Sequence, residues 1–158
     1  MYPVTFKAMA TIRLTKEFTF EAAHFLEDYD GICSQIHGHS YRLYVTVRGI
    51  PSDDELDPKN GMVIDFGHLK QLVQQAIISD FDHHLLSQQS PRAATLTDTL
   101  GEQFDNIRLL PYRPTTENLL SDFAERLLEV LPDEVEIFSL RLHETGASYA
   151  EWYASDNI

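Results

Sequence analysis

Between residues 11 and 20, β-branched and aromatic residues nearly alternate with polar ones. A period of two predicts a half-buried strand, which runs on through Glu21-Ala22-Ala23 and delivers His24. The alternation is cleaner from 41 to 49: Tyr41, Leu43, Val45 and Val47 share one parity, and Arg42, Tyr44, Thr46 and Arg48 the other. Residues 51–60 are polar and turn-rich, and Gly61 then permits a hairpin into Met62, Val63 and Ile64. Asp65 is placed as a helix cap, because Phe66, Leu69, Leu72, Val73, Ala76 and Ile77 follow at three-and-four spacing, predicting a helix to about Ser79.

Residues 87–113 hold Pro91 and Pro111 and no sustained period, and read as a long excursion with one helical turn at 97–104. Thr115 or Thr116 caps a second helix to about Leu131, with a stripe of Leu119, Leu120, Phe123, Leu127 and Leu128, and Pro132 ends it. Residues 135–143 and 148–154 then form a closing hairpin around Thr145-Gly146. The pattern predicts an α+β unit: a four-stranded antiparallel sheet with two helices on one face, in a single domain over 1–158 with its core at about 11–154. Such a sheet has two open edges, which favours pairing with further copies of the chain.

The 158 residues carry 12 Lys and Arg against 25 Asp and Glu, a net charge of −13. A phosphate-backbone binder needs a basic stripe, so nucleic acid is excluded as a general partner. At 43% hydrophobic and 11% aromatic residues the chain can fill a core, and it lies outside the disordered class. A lone cysteine, Cys33, allows no internal disulfide and demands no oxidising compartment. No run of residues is long and apolar enough for a membrane helix, and the first residues, Met-Tyr-Pro-Val-Thr-Phe-Lys, lack a signal-peptide pattern. The expectation is a soluble cytoplasmic protein with no membrane partner.

Seven histidines, several of them bunched, carry the candidate chemistry. His37 and His39 share the parity of Leu43 and Val45, so they face one way if the strand begins early, and His24 is the candidate third ligand. Three imidazoles plus an open position suit a catalytic zinc. Taken alone, His37-Gly38-His39 reads more readily as a loop with solvated imidazoles. Cys33 is either an inert small core residue or, beside a cation, an acidified base or nucleophile. Asp82 can orient the ring of His83, or the pair can be a polar helix terminus. Glu144, at a strand end, is a surface charge or a buried carboxylate able to accept two parallel N–H groups from an amino-pyrimidinone edge.

Six motifs occur in register between about residues 11 and 153: Phe18-Thr19-Phe20-Glu21-Ala22-Ala23-His24; Cys33 through His37-Gly38-His39; Gly61-Met62-Val63-Ile64-Asp65-Phe66; Asp82-His83-His84; Pro114-Thr115-Thr116-Glu117-Asn118-Leu119; and Glu144-Thr145. In this the sequence resembles the 6-pyruvoyl tetrahydropterin synthase and 6-carboxytetrahydropterin synthase family. The resemblance implies the tunnelling fold, in which trimers close their sheets into a barrel and two trimers stack into a homohexamer, with the active site at a subunit interface. It implies that His24, His37 and His39 hold Zn2+ and that Cys33 is the proton acceptor. It further implies that Asp82 and His83 relay or donate protons, that Glu144 anchors the pterin, and that Thr115, Thr116 and Glu117 line its pocket. Thr115 and Thr116 also fit the helix cap read above. The excursion at 87–113 is longer than in compact members of the family.

The implied activity is that of a zinc-dependent lyase acting on 7,8-dihydroneopterin triphosphate. Its products are 6-carboxy-5,6,7,8-tetrahydropterin, acetaldehyde and triphosphate, on the route to queuosine and other 7-deazaguanines. The alternative is the 6-pyruvoyl tetrahydropterin synthase reaction of tetrahydrobiopterin synthesis, which eliminates triphosphate and stops at the diketo product. Two other classes remain open: a non-catalytic zinc- or pterin-binding subunit, and a metal-independent cysteine hydrolase using Cys33, His83 and Asp82. A triphosphate substrate and a net charge of −13 together predict a local basic patch at the pocket mouth.

Overall fold

The computed structural model describes residues 10–158, so the first nine residues, read above for targeting signals, lie outside the described part. β1 (Ile12–His24) and β2 (His37–Gly49) pair antiparallel along their whole length, with Ile12 opposite Gly49 and His24 opposite His37. β2 therefore begins at the first histidine of His37-Gly38-His39, four residues before its clean alternation starts. β5 (Glu136–His143) continues the sheet beside β2, and β6 (Tyr149–Tyr153) pairs antiparallel with β5. These are the four strands the alternation predicts.

The sheet is larger than predicted and mixed. β3 (His84–Gln88) runs parallel to the last residues of β1, and β4 (Ile107–Leu110) runs parallel to β3, giving the order β4-β3-β1-β2-β5-β6. The segment 87–113 is not an irregular excursion with a turn at 97–104. It holds most of β3–α3–β4, a parallel crossover whose helix α3 (Pro91–Leu100) is capped by Ser90, the hydroxyl accepting the Ala93 N–H at 3.0 Å.

The expected strand at 62–64 is also absent. Ser52 donates its N–H to the Met62 carbonyl and accepts from Gly61, whose φ of +82° closes the loop. Val63 is thereby laid against Gly49: a Cβ there would come within 2.7 Å of Val63 Cγ1, so only glycine fits the end of β2.

α1 (Phe66–Val73) starts as predicted, with the Asp65 carboxylate accepting the His68 N–H at 2.9 Å. It continues through a π turn (Gln74–Ile78) into α2 (Ser79–Phe81). α4 (Thr116–Val130) begins at a Thr115 cap and ends before Pro132, and a short α5 (Ala154–Asn157) follows β6. Leu69, Val73, Ile77 and Phe81 on one helix, and Leu119, Phe123 and Leu127 on the other, are fully buried against the sheet. The sheet contributes Phe18 and Phe20 from β1 and Tyr41, Leu43, Val45 and Val47 from β2. Each such side chain contributes about 1.5–3 kcal/mol by leaving water. Phe20 stacks on Tyr41 at 4.9 Å and meets Phe81 and Phe123 edge-on, so both helices are keyed to the strand ends that carry the histidines.

Candidate metal centre and active site

The parity that buries Phe18 and Phe20 in β1 and Tyr41 and Leu43 in β2 also turns His24, His37 and His39 to the helix side of the sheet. Antiparallel register sets His24 across from His37, and His39 is two residues further along the same face. Their ligand nitrogens all lie within 4.8 Å of one another.

Two of the rings are held by main-chain carbonyls. His24 donates Nδ1–H to Pro114 O at 2.8 Å, and His37 donates Nδ1–H to Gln35 O at 2.8 Å. A carbonyl accepts only, so in the neutral imidazoles the proton is on Nδ1 and the lone pair on Nε2. Those two Nε2 atoms face each other at 3.1 Å, and the Nε2 of His39 is buried with no hydrogen-bond partner. The Glu144 carboxylate adds another acceptor, with Oε1 3.7 Å from His24 Nε2 and 3.6 Å from His39 Nε2.

Two fixed lone pairs and a carboxylate crowded around an unpartnered buried nitrogen are unfavourable, and a cation at their centre removes the conflict. The residues present therefore fit a metal. Electrostatics agree: burial, the largest influence, lowers the pKa of His24 and of His39 and keeps both neutral, the form that ligates. Beneath them lies Tyr41, its ring 5.5 Å from His39 and 6.3 Å from His24. Burial and then the Glu144 charge push its phenol pKa up, so it stays protonated.

The structure brings Glu144 against the three histidines, and the other expected site residues lie outside that group. Cys33 lies in a 3-10 turn (Ile32–Ser34), half-buried, and its carbonyl accepts the Leu26 N–H at 2.8 Å, folding the turn back on the chain just after His24. Among the described residues its thiol makes no hydrogen bond. Asp82 Oδ1 is 2.9 Å from His83 Nδ1 and accepts the Glu21 N–H at 2.9 Å, while His83 donates its N–H to Glu21 O at 2.6 Å. This clamp holds His83 at φ +60°, a left-handed conformation that costs a non-glycine residue about 1 kcal/mol and recurs at functional sites. The His83 side chain is 78% exposed. It lines a depression of about 440 Å³ together with His39, Glu21, Gly38, Ser40 and Asn106.

Thr115 caps α4, its hydroxyl accepting the Asn118 N–H at 3.3 Å; Thr116 is buried and Glu117 is exposed. The same turn supplies Pro114 O to His24, so the cap and the ligand are one construction. Sequence reasoning missed the two carbonyls that orient the rings, because main-chain acceptors leave no residue-type signal. It also missed the strain at His83.

Comparison with known proteins extends the geometry. The profile of the family described as 6-pyruvoyl tetrahydropterin synthase matches residues 13–155. A Haemophilus influenzae protein named 6-carboxy-5,6,7,8-tetrahydropterin synthase is 33% identical over 141 residues, covering 89% of this chain and 97% of that one. A Pongo abelii 6-pyruvoyl tetrahydrobiopterin synthase is 30% identical over 145 residues, covering 84% and 85%. Among solved structures, an uncharacterized Wolinella succinogenes protein superposes with a TM-score of 0.74 at 21% identity, over 92% of this chain and 99% of that one. The Caenorhabditis elegans 6-pyruvoyl tetrahydropterin synthase superposes with a TM-score of 0.65 at 23% identity, over 94% and 99%. With the match running from the start of β1 to the end of β6 and through all three histidines, the chain belongs to the 6-pyruvoyl tetrahydropterin synthase family.

Proposed function

We propose that the protein is a zinc-dependent lyase that converts 7,8-dihydroneopterin triphosphate and water into 6-carboxy-5,6,7,8-tetrahydropterin, acetaldehyde and triphosphate. The observation that carries it is the convergence of three imidazole Nε2 atoms, two of them fixed by Nδ1–H bonds to carbonyls, in a chain whose relatives at about 30% identity include proteins named for this reaction. Zn2+ suits a set of three imidazoles, and when bound it supplies Lewis-acid polarisation of the substrate's side-chain hydroxyls.

The chain's own residues do the rest. Cys33, on the turn that leads into His37, takes the proton from the side-chain carbon. Asp82 holds His83 in the tautomer with Nδ1–H, leaving Nε2 free to exchange protons with the substrate's oxygens. Glu144 accepts the paired N–H groups of the pterin edge by two charge-assisted hydrogen bonds. Thr115, Thr116 and Glu117 line that pocket. Thr115 can do so while capping α4, because a hydroxyl that accepts the Asn118 N–H still has its own proton to donate. β4 and β6 are left as edge strands in one chain, which supports closure of three sheets into a barrel and stacking of two trimers. Light scattering that returns a monomer rules that assembly out.

The test is to incubate zinc-loaded protein with 7,8-dihydroneopterin triphosphate and identify products by mass spectrometry, with and without prior chelation. Formation of 6-carboxytetrahydropterin and acetaldehyde, lost on chelation, supports the reading. Accumulation of 6-pyruvoyl tetrahydropterin transfers it to the reaction for which the Pongo abelii relative is named. Turnover that survives metal removal overturns it in favour of a cysteine hydrolase.

A further inference from the structure

The 87–113 segment sets two arginines, whose charge the fold leaves unspent, against the chain just after His24. Of the 12 basic residues, Arg48, Arg108, Arg126 and Arg141 are tied into ion pairs with carboxylates. Arg13 and Lys16 lie over aromatic rings at the start of β1, and Lys16 is roughly 26 Å of strand away from His24. Arg42 belongs to the strand face opposite the histidines, Lys59 and Lys70 are exposed on the 51–65 loop and on α1, and Lys7 is outside the described residues.

Arg92 and Arg113 remain, and neither guanidinium is within ion-pair distance of a carboxylate among the described residues. Both are fastened to the chain next to the first metal-site histidine. The Arg92 guanidinium carbon sits 5.2 Å from the ring centroid of Phe25, the residue after His24. Arg113 Nη2 donates to the Glu27 carbonyl at 2.6 Å, and the residue after Arg113 is Pro114, whose carbonyl accepts from His24. A cation over a ring and a cation on a single neutral carbonyl each keep most of their N–H donors free.

We infer that Arg92 and Arg113 form an anion subsite at the rim of the histidine cluster that receives the polyphosphate tail of the substrate. The inference rests on the proposed lyase reading for its ligand. Guanidinium forks match phosphoryl oxygens bidentately, and each of these two has donors available. The subsite also resolves the charge problem: a strongly acidic chain attracts a polyanion only through a local positive field, and these are the unpaired cations beside the site. Arg92 reaches this place because α3 begins one residue before it, so the segment that lengthens the fold between β3 and β4 is what supplies it.

The experiment uses the metal-loaded full chain, with inorganic tripolyphosphate and, separately, triphosphate-free 7,8-dihydroneopterin as titrants in calorimetry. Metal content is measured before and after, because tripolyphosphate itself chelates. Arg92→Gln and Arg113→Gln should each weaken tripolyphosphate binding roughly tenfold, and the double variant roughly a hundredfold. The parent affinity should fall with added salt. Binding of 7,8-dihydroneopterin and metal content should stay unchanged, which separates a lost anion site from a damaged fold. In turnover the variants should raise KM more than they lower kcat. A double variant that binds tripolyphosphate within threefold of the parent, or a parent that does not bind it, overturns the inference. If product analysis refutes the lyase reading while tripolyphosphate binding still depends on the two arginines, the subsite stands and only the reaction assigned to its ligand falls.

Discussion

Arg126 and His39 each belong to a polar cluster set into an otherwise apolar fold, and the two clusters are completed in opposite ways. Around Arg126 every strong group has its counterpart. Its Nη1 donates to Asp80 at 2.9 Å and to the Ala76 carbonyl of the π turn at 3.0 Å, and its Nε donates to Asp122 at 3.0 Å. Arg108 donates to the same Asp80 oxygen at 2.7 Å and Tyr112 Oη to Asp122 at 2.6 Å. Two arginines meet two aspartates and the charge closes. Burial alone would lower the Arg126 pKa, and its bonds to Asp80 and Asp122 outweigh that and raise it. Around His39 the reverse holds: the Nε2 lone pairs of His24 and His37 and a carboxylate surround a buried Nε2 that has no hydrogen-bond partner. A closed cluster fastens α2, α4 and β4 together. An open one is made to be completed by something that is not protein, and it shows how a ligand site can be told from a structural network by counting donors against acceptors.

The comparison breaks most visibly at the ligands. His37→Ala or His39→Ala should abolish metal retention, read by atomic emission, and turnover with it. Yet His39→Ala should leave the metal-free protein within about 1 kcal/mol of the parent in urea unfolding at pH 8, because the atom removed had no partner to lose. A large loss of metal-free stability would show that the histidines hold the fold as the arginines do. Cys33→Ala should keep the metal and lower kcat by about 10² to 10⁴, the range of a removed general base; retained full activity would eliminate Cys33 from that role. Arg126→Met should do the opposite of both. It leaves Asp80 and Asp122 partly uncompensated and should cost about 2 kcal/mol, less than a fully buried pair because Arg126 is a quarter exposed, with metal content unchanged.

Both clusters were unequally visible in the sequence, for reasons that follow from how they are built. The histidines announce themselves because strand parity is a two-residue rule: once His37 and His39 join the register of Tyr41 and Leu43, their common face is fixed. The caps at Asp65 and Thr115 were legible for a similar reason, since capping chemistry is local. Apart from Asp122–Arg126, four residues apart on α4, and Tyr112–Asp122, the Arg126 network joins residues 28 to 50 positions apart, for which there is no local signature. β3 and β4 were hidden because they are short additions whose existence depends on distant parallel pairing, β3 with the end of β1 and β4 with β3. α3 carried a usable signal in Ser90-Pro91, a cap followed by proline at the first helical position, which the absence of a long apolar stripe obscured. At residues 62–64 a real apolar run packs against Gly49 without joining the sheet, so hydrophobicity alone pointed to a strand that is not there.

Acidity gives the smallest and most discriminating effect. Burial lowers the folded-state pKa of His24 and His39, whereas in the unfolded chain both titrate near 6.5. Above that value both states are neutral and the stability of the metal-free protein is full. As pH falls below it the unfolded chain takes up protons that the folded cluster refuses, so stability declines until the folded pKa is reached. Each group contributes at most about 1.4 kcal/mol per pH unit through this window. His39→Ala removes one of the two and should make the acid limb of the melting-temperature profile shallower. Arg126→Met should lower the whole profile and leave that slope alone, because the guanidinium keeps its charge throughout. If His39→Ala and the parent lose stability with the same slope between pH 7 and 5, the histidines are not held neutral by burial, and the reading of the cluster as a set of preformed lone pairs fails with it.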